Sequence, residues 1–492
     1  MLHLGKNAKD WELANQTPKK QKAILCYIIG NMPIIGSYIL PHPPFCVPEV
    51  GRGKEKNAEK TVAALDFVAK EIASLEPDTI VFVSPHAEAY RDFFPISDGE
   101  VGIGNFSAYG LPGLNFRLFY DRELVKEIAD EASKKKIAAG PSSGSENTSD
   151  HGTLVPLYYI NRYYRNFKAV RIGLSGFPLL EHYRYGQMLG EVFAKSEKKI
   201  VVIASADLSH CQRADGPYGF RVEGPRYDEM IQKIIETGNF GLLLSMDHSL
   251  IAKAKECGHR SILVLAGMLD REEVKSTILS HEAPYGVGYL VAKIEALGFD
   301  ASRAFYELYR SKEEFSVGEH AEKSDLYVKW ARQCIETYIK TKKLPPMEEI
   351  LPDNFLKTKA GVFVTIYEHG ELRGCLGSVK PLKANLGQEI AHNAVSAATC
   401  DDRFNPIKKE ELPYLKIIVD VLTNPIPILS IIDLDVTKYG IIVENGDRKG
   451  VVLPGLSGVE TPDDQIRVAK RKAGIEEDEE ITLYRFEVKR HV

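Results

Sequence analysis

Residues 200–210, IVVIASADLSH, decide the fold: an uncharged apolar run followed at once by a loop carrying Asp207 and His210. A run with no polar alternation suits a strand buried on both faces, as in a parallel sheet. Two further stretches end the same way: 34–44 reads IIGSYILPHPP and 79–86 reads TIVFVSPH. In open α/β sheets ligands bind beyond the carboxyl ends of the strands, so topology predicts that His42, His86 and His210 meet. The prolines beside His42 and before His86 remove backbone donors and stiffen both loops, which suits a rigid first layer of ligands.

Outward from these strands, short β-rich runs alternate with helical periodicity from 34 to about 297. Further strands are expected at 169–174 and 287–292, and helices at 57–75, 122–135, 182–194 and 227–237. The clearest helix, 57–75, gathers Ala58, Val62, Leu65, Val68, Ala69 and Ile72 on one face. The expectation is an α/β domain around a mixed, largely parallel sheet. The polar segment RSKEEFSVGEHAEKS, 310–324, marks a boundary. Beyond it the pattern gives a helix at 325–340, strands at 361–367 and 417–422, and helices at 386–399 and 463–473. That is too little β-α-β alternation for a wound sheet, so a smaller α+β domain is expected. The division is then 1–32 as an N-terminal extension, expected to be disordered, 33–297, a linker at 298–323, and 324–492.

Composition agrees with a multidomain globular chain. Its 492 residues correspond to two to four domains at roughly 150 residues each. Lys+Arg at 63 against Asp+Glu at 68 leaves a net charge of -5, so no overall cationic field attracts nucleic acid or acidic membranes. Seven cysteines stand singly without a C-x-x-C pair, which fits a reducing cytoplasm better than a disulfide framework or a zinc ribbon. Lysines at 19, 20 and 22 before an apolar stretch imitate a signal peptide, but Gly30, Asn31, Pro33 and Gly36 interrupt it. A cytoplasmic chain is expected.

Two more clusters are candidates for the same rim: Asp150-His151-Gly152, and His281-Glu282 before Ala283-Pro284-Tyr285-Gly286. Imidazoles with a carboxylate and no thiolate pattern suit a 2-His-1-carboxylate site for Fe(II), and zinc accepts the same ligands. Asp207 suits either of two roles, orienting His210 or capping a helix. In the second domain Cys375 lies between Gly374 and Gly377, with Arg373 two residues away. Either Arg373 makes it a reactive thiol, or it is a buried residue in a tight β turn.

The segments LPHPP, SPH, DHGTLVPL, SADLSH and HEAPYGVGY, taken in order, resemble the class III extradiol ring-cleavage dioxygenase fold that is shared with Memo-like proteins. The resemblance spans about 34–297. It implies that His42, His86 and Glu282 hold Fe(II), that His210 is the acid/base residue, that His151 lines the substrate pocket, and that Asp207 and Tyr285 face the substrate. His281 competes with Glu282 for the ligand position. Implied substrates are dioxygen and a catechol-like or otherwise chelating small molecule, whose proton a neutral His210 would accept. LRGCLG, NAVSAATCDDRFNP and LPGLSGVETPDDQIRVAKRKAGI are similar to the AMMECR-type domain over about 324–491. This fusion implies an alternative: a Memo-like metal-binding protein without ring cleavage, working with a radical SAM protein partner.

Overall fold

The computed structural model describes residues 34–142, 149–428, 430–456 and 458–492. The expected extension at 1–32 lies outside them. The chain separates into two compact units, divided after Arg310.

The first unit is built on an eight-stranded sheet. In chain order its strands are β1 (Ile34–Leu40), β2 (Thr79–Ser84), β3 (Phe94–Ser97), β6 (Ala139–Ser142), β7 (Lys168–Gly173), β8 (Ile200–Ser205), β9 (Glu272–Glu282) and β10 (Tyr289–Phe299). A separate hairpin is formed by β4 (Val101–Phe106) and β5 (Leu111–Phe119). The spatial order is β6-β3-β7-β2-β8-β1-β10-β9. The central four, β7, β2, β8 and β1, are parallel, while β10 runs antiparallel to β1 and β9 antiparallel to β10. One edge of the sheet therefore carries the ends of β1, β2, β7, β8 and β9 together with the start of β10.

Helices cover both faces: α1 (Glu59–Leu75) and α3 (His151–Ile160) on one, α2 (Arg122–Lys135), α4 (Leu179–Phe193), α5 (Glu223–Thr237) and α7 (His259–Met268) on the other. The period of two along a strand explains why the central runs are apolar throughout. In β2, Ile80 and Phe82 join one core while Val81 and Val83 join the other. A short helix, α6 (His248–Ala254), precedes α7. The expected linker is helical over much of its length: α8 spans Phe305–Lys323, and the division between the units falls within it.

The second unit is α+β. Its strands β11 (Val362–Glu368), β12 (Glu371–Ser378), β13 (Leu415–Leu422), β14 (Ile426–Ile428), β15 (Tyr439–Asn445), β16 (Arg448–Val452) and β17 (Thr482–His491) pair antiparallel in the order β12-β11-β13-β17-β15-β16, with β14 on β17. Helices α9 (Leu326–Thr341) and α10 (Leu386–Thr399) share its larger core, where Trp330 Nε1 donates to the Gly387 carbonyl at 2.9 Å. Helix α11 (Pro462–Ala473) covers β15 and β16. No helix among the described residues is long and apolar enough to cross a membrane.

Candidate metal centre

The parallel strands deliver their loops to one edge, and three side chains converge there. His42 Nε2, His86 Nε2 and Cys257 Sγ are the atoms brought together: 3.0 Å separates the two ring nitrogens, and Sγ is 3.5 Å from that of His42. One ligand atom from each of the three residues lies within 4.8 Å of the others. His42 follows β1 and is buried, His86 follows β2 and is exposed, and Cys257 comes from the turn between α6 and α7.

The hydrogen bonds around His42 fix its tautomer. The Ser205 hydroxyl gives its one proton to the Gly152 carbonyl at 2.6 Å, so its oxygen can only accept from His42 Nδ1 at 2.8 Å. With the proton on Nδ1, Nε2 turns a lone pair toward His86 and Cys257. The His42 backbone N–H donates to Asp207 Oδ1 at 2.8 Å, which anchors the loop. Asp207 thus caps no helix. Burial pushes its carboxyl up to about 7, against the opposing hydrogen bond from His42.

Two further histidines border the cluster. His151, the first residue of α3, stacks on His86 with ring centres 4.1 Å apart. Asp150 caps that helix by accepting from Thr153, and also accepts from Ser84 at 2.6 Å and Arg171 at 3.0 Å. His210 stacks on Tyr218, and its Nε2 is buried with no hydrogen-bond partner among the described residues. Desolvation first, then the neighbouring His86, holds both His151 and His210 down to about 4, so each imidazole is neutral at neutral pH. Desolvation also lowers His42 and His86, and pushes the Cys257 thiol well up.

Glu282 is engaged elsewhere. Its Oε1 accepts from the Thr61 backbone N–H at 2.7 Å and the Thr61 hydroxyl at 2.8 Å, in the first turn of α1. His281 Nε2 meets Asp228 Oδ2 of α5 at 2.9 Å. Successive residues of a strand point to opposite faces, so this pair reaches helices on the two sides of the sheet. Tyr285 ties two loops by donating to the Lys54 carbonyl at 3.1 Å and accepting from Asn57 at 2.8 Å.

Sequence reasoning missed Cys257, which no spacing rule connects to His42, 215 positions earlier. The one local signal is Gly258, where a Cβ would lie 2.4 Å from that of Ala206, so only glycine lets this turn press against the loop after β8. His259, next in the chain, faces away to meet the Tyr227 hydroxyl at 3.1 Å.

In the second unit the two glycines beside Cys375 answer to packing. A Cβ on Gly374 would meet the Ala397 carbonyl of α10 at 2.2 Å, and one on Gly377 the Val362 carbonyl of β11 at 2.3 Å. Arg373 Nε donates to Glu411 at 2.7 Å. Cys375 is half-buried, with its backbone N–H donated to Asp401 at 2.8 Å and its sulfur 3.3 Å from the Thr365 hydroxyl.

Comparison with known proteins follows the same two-part division. Residues 36–292 match the model for the catalytic LigB subunit of aromatic ring-opening dioxygenase, and residues 328–491 match AMMECR1. A protein of Clostridium acetobutylicum is 37% identical over 468 residues, covering 94% of this chain and 99% of its own length. One from Thermotoga maritima is 45% identical over 177 residues, covering 36% of this chain and 99% of its own length. The crystal structure of an uncharacterised protein from Pyrococcus horikoshii, 31% identical, covers 35% of this chain and 90% of its own, with a TM-score of 0.32. With the first domain matched end to end and a relative aligned across both units, the chain belongs to the LigB family, in the form that carries an AMMECR1 domain behind the LigB domain.

Proposed function

We propose that the first unit is a metal-dependent oxidoreductase acting on a chelating diol with dioxygen, and that His42, His86 and Cys257 hold the metal. The observation that carries this reading is the convergence of the three donor atoms, with the His42 tautomer set so that Nε2 keeps its lone pair. Two imidazoles and a thiol fit Fe(II) as the redox-active choice and Zn(II) as the inert one, and metal capture requires the thiol to release its proton. Bound there, Fe(II) would supply electron transfer to dioxygen and Lewis-acid polarisation of the diol. The chain's own residues supply the rest. Neutral His210 accepts a proton from a substrate hydroxyl and returns it. His151 walls the site against His86. Glu282 stays on α1 as a helix-capping carboxylate.

Anaerobic loading of the full chain with Fe(II) or Zn(II) tests this. One equivalent is expected to bind. His42→Ala, His86→Ala and Cys257→Ala should each weaken it by more than about a hundredfold, above what loss of a supporting outer residue costs. His210→Ala should keep the metal and lose diol-dependent oxygen uptake. Binding of less than about a tenth of an equivalent at micromolar metal would sink the proposal.

A further inference from the structure

Strands β2 and β8 are parallel neighbours with Val83 opposite Ala204, and each ends one residue later in a buried serine, Ser84 and Ser205. The first turn of α3 lies against both. Gly152 fits between the two hydroxyls: a Cβ there would lie 2.4 Å from Ser84 Oγ and 3.2 Å from Ser205 Oγ. Only glycine leaves both serines where they are.

Each serine passes a hydrogen bond from a histidine loop to this turn. Ser205 accepts from His42 Nδ1 and donates to the Gly152 carbonyl. On the other strand, the Ser84 hydroxyl gives its one proton to Asp150 Oδ1 at 2.6 Å, so its oxygen accepts the His86 backbone N–H at 3.3 Å. A serine that accepts from the residue two ahead is a common local turn. Here a carboxylate 66 positions away fixes the direction of the hydroxyl. Asp150 is itself held by Arg171, which is 3% exposed and donates at 3.0 Å, and by the Thr153 N–H and hydroxyl, both at 3.2 Å. Between Asp150 and Gly152, the His151 ring stacks on His86 at 4.1 Å and meets His42 edge-on at 5.4 Å. One turn of helix thus touches both histidine loops and sets a third ring against them.

We infer that the Asp150–Gly152 turn is a single brace for the two histidine loops, and that Asp150, acting through Ser84, is the positioning residue for His86. The inference rests on the reading of the cluster as a metal centre. Co(II) added to the full chain is the probe, because its visible spectrum reports ligand geometry and needs no turnover. Ser84→Ala cuts the link while leaving Asp150 with Arg171 and Thr153. It should weaken Co(II) binding by about 10- to 100-fold, the usual cost of losing a group that supports a metal ligand, and shift the ligand-field bands. Thr153→Val removes a hydrogen bond to the same carboxylate without touching a histidine loop. It should melt earlier and keep the parent's Co(II) affinity and spectrum. Gly152→Ala should also lower affinity, by displacing the Ser84 hydroxyl. Combined with Ser84→Ala, the two losses should overlap and not multiply, because the oxygen that the new methyl would strike is gone. Ser84→Ala is the deciding variant, since Asp150→Asn would also take the carboxylate from buried Arg171 and unsettle the fold. A Ser84→Ala chain with the parent's affinity and spectrum overturns the inference and leaves the metal reading in place. A Thr153→Val chain that loses as much affinity as Ser84→Ala overturns it too, because the carboxylate would then act only through the stability of α3. If the unaltered chain takes up no Co(II), the metal reading itself falls, and this inference with it.

Discussion

Ser205 shows how much of the candidate centre is set by a residue that is not itself one of the three converging side chains. Its hydroxyl spans the Gly152 carbonyl and His42 Nδ1, at 2.6 and 2.8 Å, and so decides which ring nitrogen carries the proton. Ser205→Ala leaves Nδ1–H without a buried acceptor and frees the ring to adopt the other tautomer. Metal affinity is expected to fall by about 10- to 100-fold, the usual effect of losing a group that orients a ligating histidine. Competition with a chromogenic chelator reads this, and an unchanged melting profile of the second unit serves as control. A variant that binds metal as tightly as the parent would show that the tautomer is fixed by other means. The same residue also marks where sequence reading stops. That β8 ends beside a ligand loop is legible, because its last residue precedes Asp207 and His210. That a thiol from the turn at Cys257 comes within 3.5 Å of His42 Nε2 is not, since the turn has neither periodicity nor a partner motif.

Strand β9 explains the fate of the expected carboxylate ligand. A slip of one residue along a strand exchanges its two faces, and His281 and Glu282 occupy successive positions. His281 therefore meets α5 and Glu282 meets α1. In the sequence both follow the apolar end of VKSTILS, and nothing there tells which face the metal lies on or whether either residue turns toward it. The four central strands were readable because both faces are buried and the runs stay apolar. The β4–β5 hairpin was not, since Gly104, Asn105 and Asn115 break any pattern. Glu282→Gln is expected to destabilise the first unit by about 1 kcal/mol, through loss of a charged acceptor at the start of α1, with metal stoichiometry unchanged. Urea unfolding alongside metal titration measures both. Loss of metal at full stability would instead make Glu282 a ligand.

Across the whole first unit, burial of neutral imidazoles couples folding to pH. His182 and His259 are fully buried, and desolvation holds each down to about 3. For His182 the hydrogen bonds agree. Nδ1 donates to the Pro178 carbonyl at 3.0 Å and Nε2 accepts from the Ser175 N–H at 3.4 Å, so a second ring proton would face another donor. In the unfolded chain each ring takes up its proton near pH 6.5. Below that value the unfolded state binds more protons than the folded one, so the stability present above pH 6.5 declines as pH falls toward 3. Each ring adds a slope of about 1.4 kcal/mol per pH unit within this window. Carboxyls raised by burial act with the opposite sign: Asp207, Asp228, Glu256 and Asp270 protonate in the folded state first and oppose the decline. A single-site comparison isolates the imidazole contribution from theirs. His182→Gln keeps a donor and an acceptor but does not titrate, and because it fills the place of a fully buried ring imperfectly it should be the less stable protein at pH 7. Its deficit should then shrink by about 1.4 kcal/mol for each unit between pH 6 and 4. Hydrogen exchange of the β8 amides follows the first unit without interference from the second, whose Trp330 would dominate fluorescence. A deficit independent of pH would mean that the folded protein protonates His182 as readily as the unfolded chain, and that its burial carries no penalty for charge.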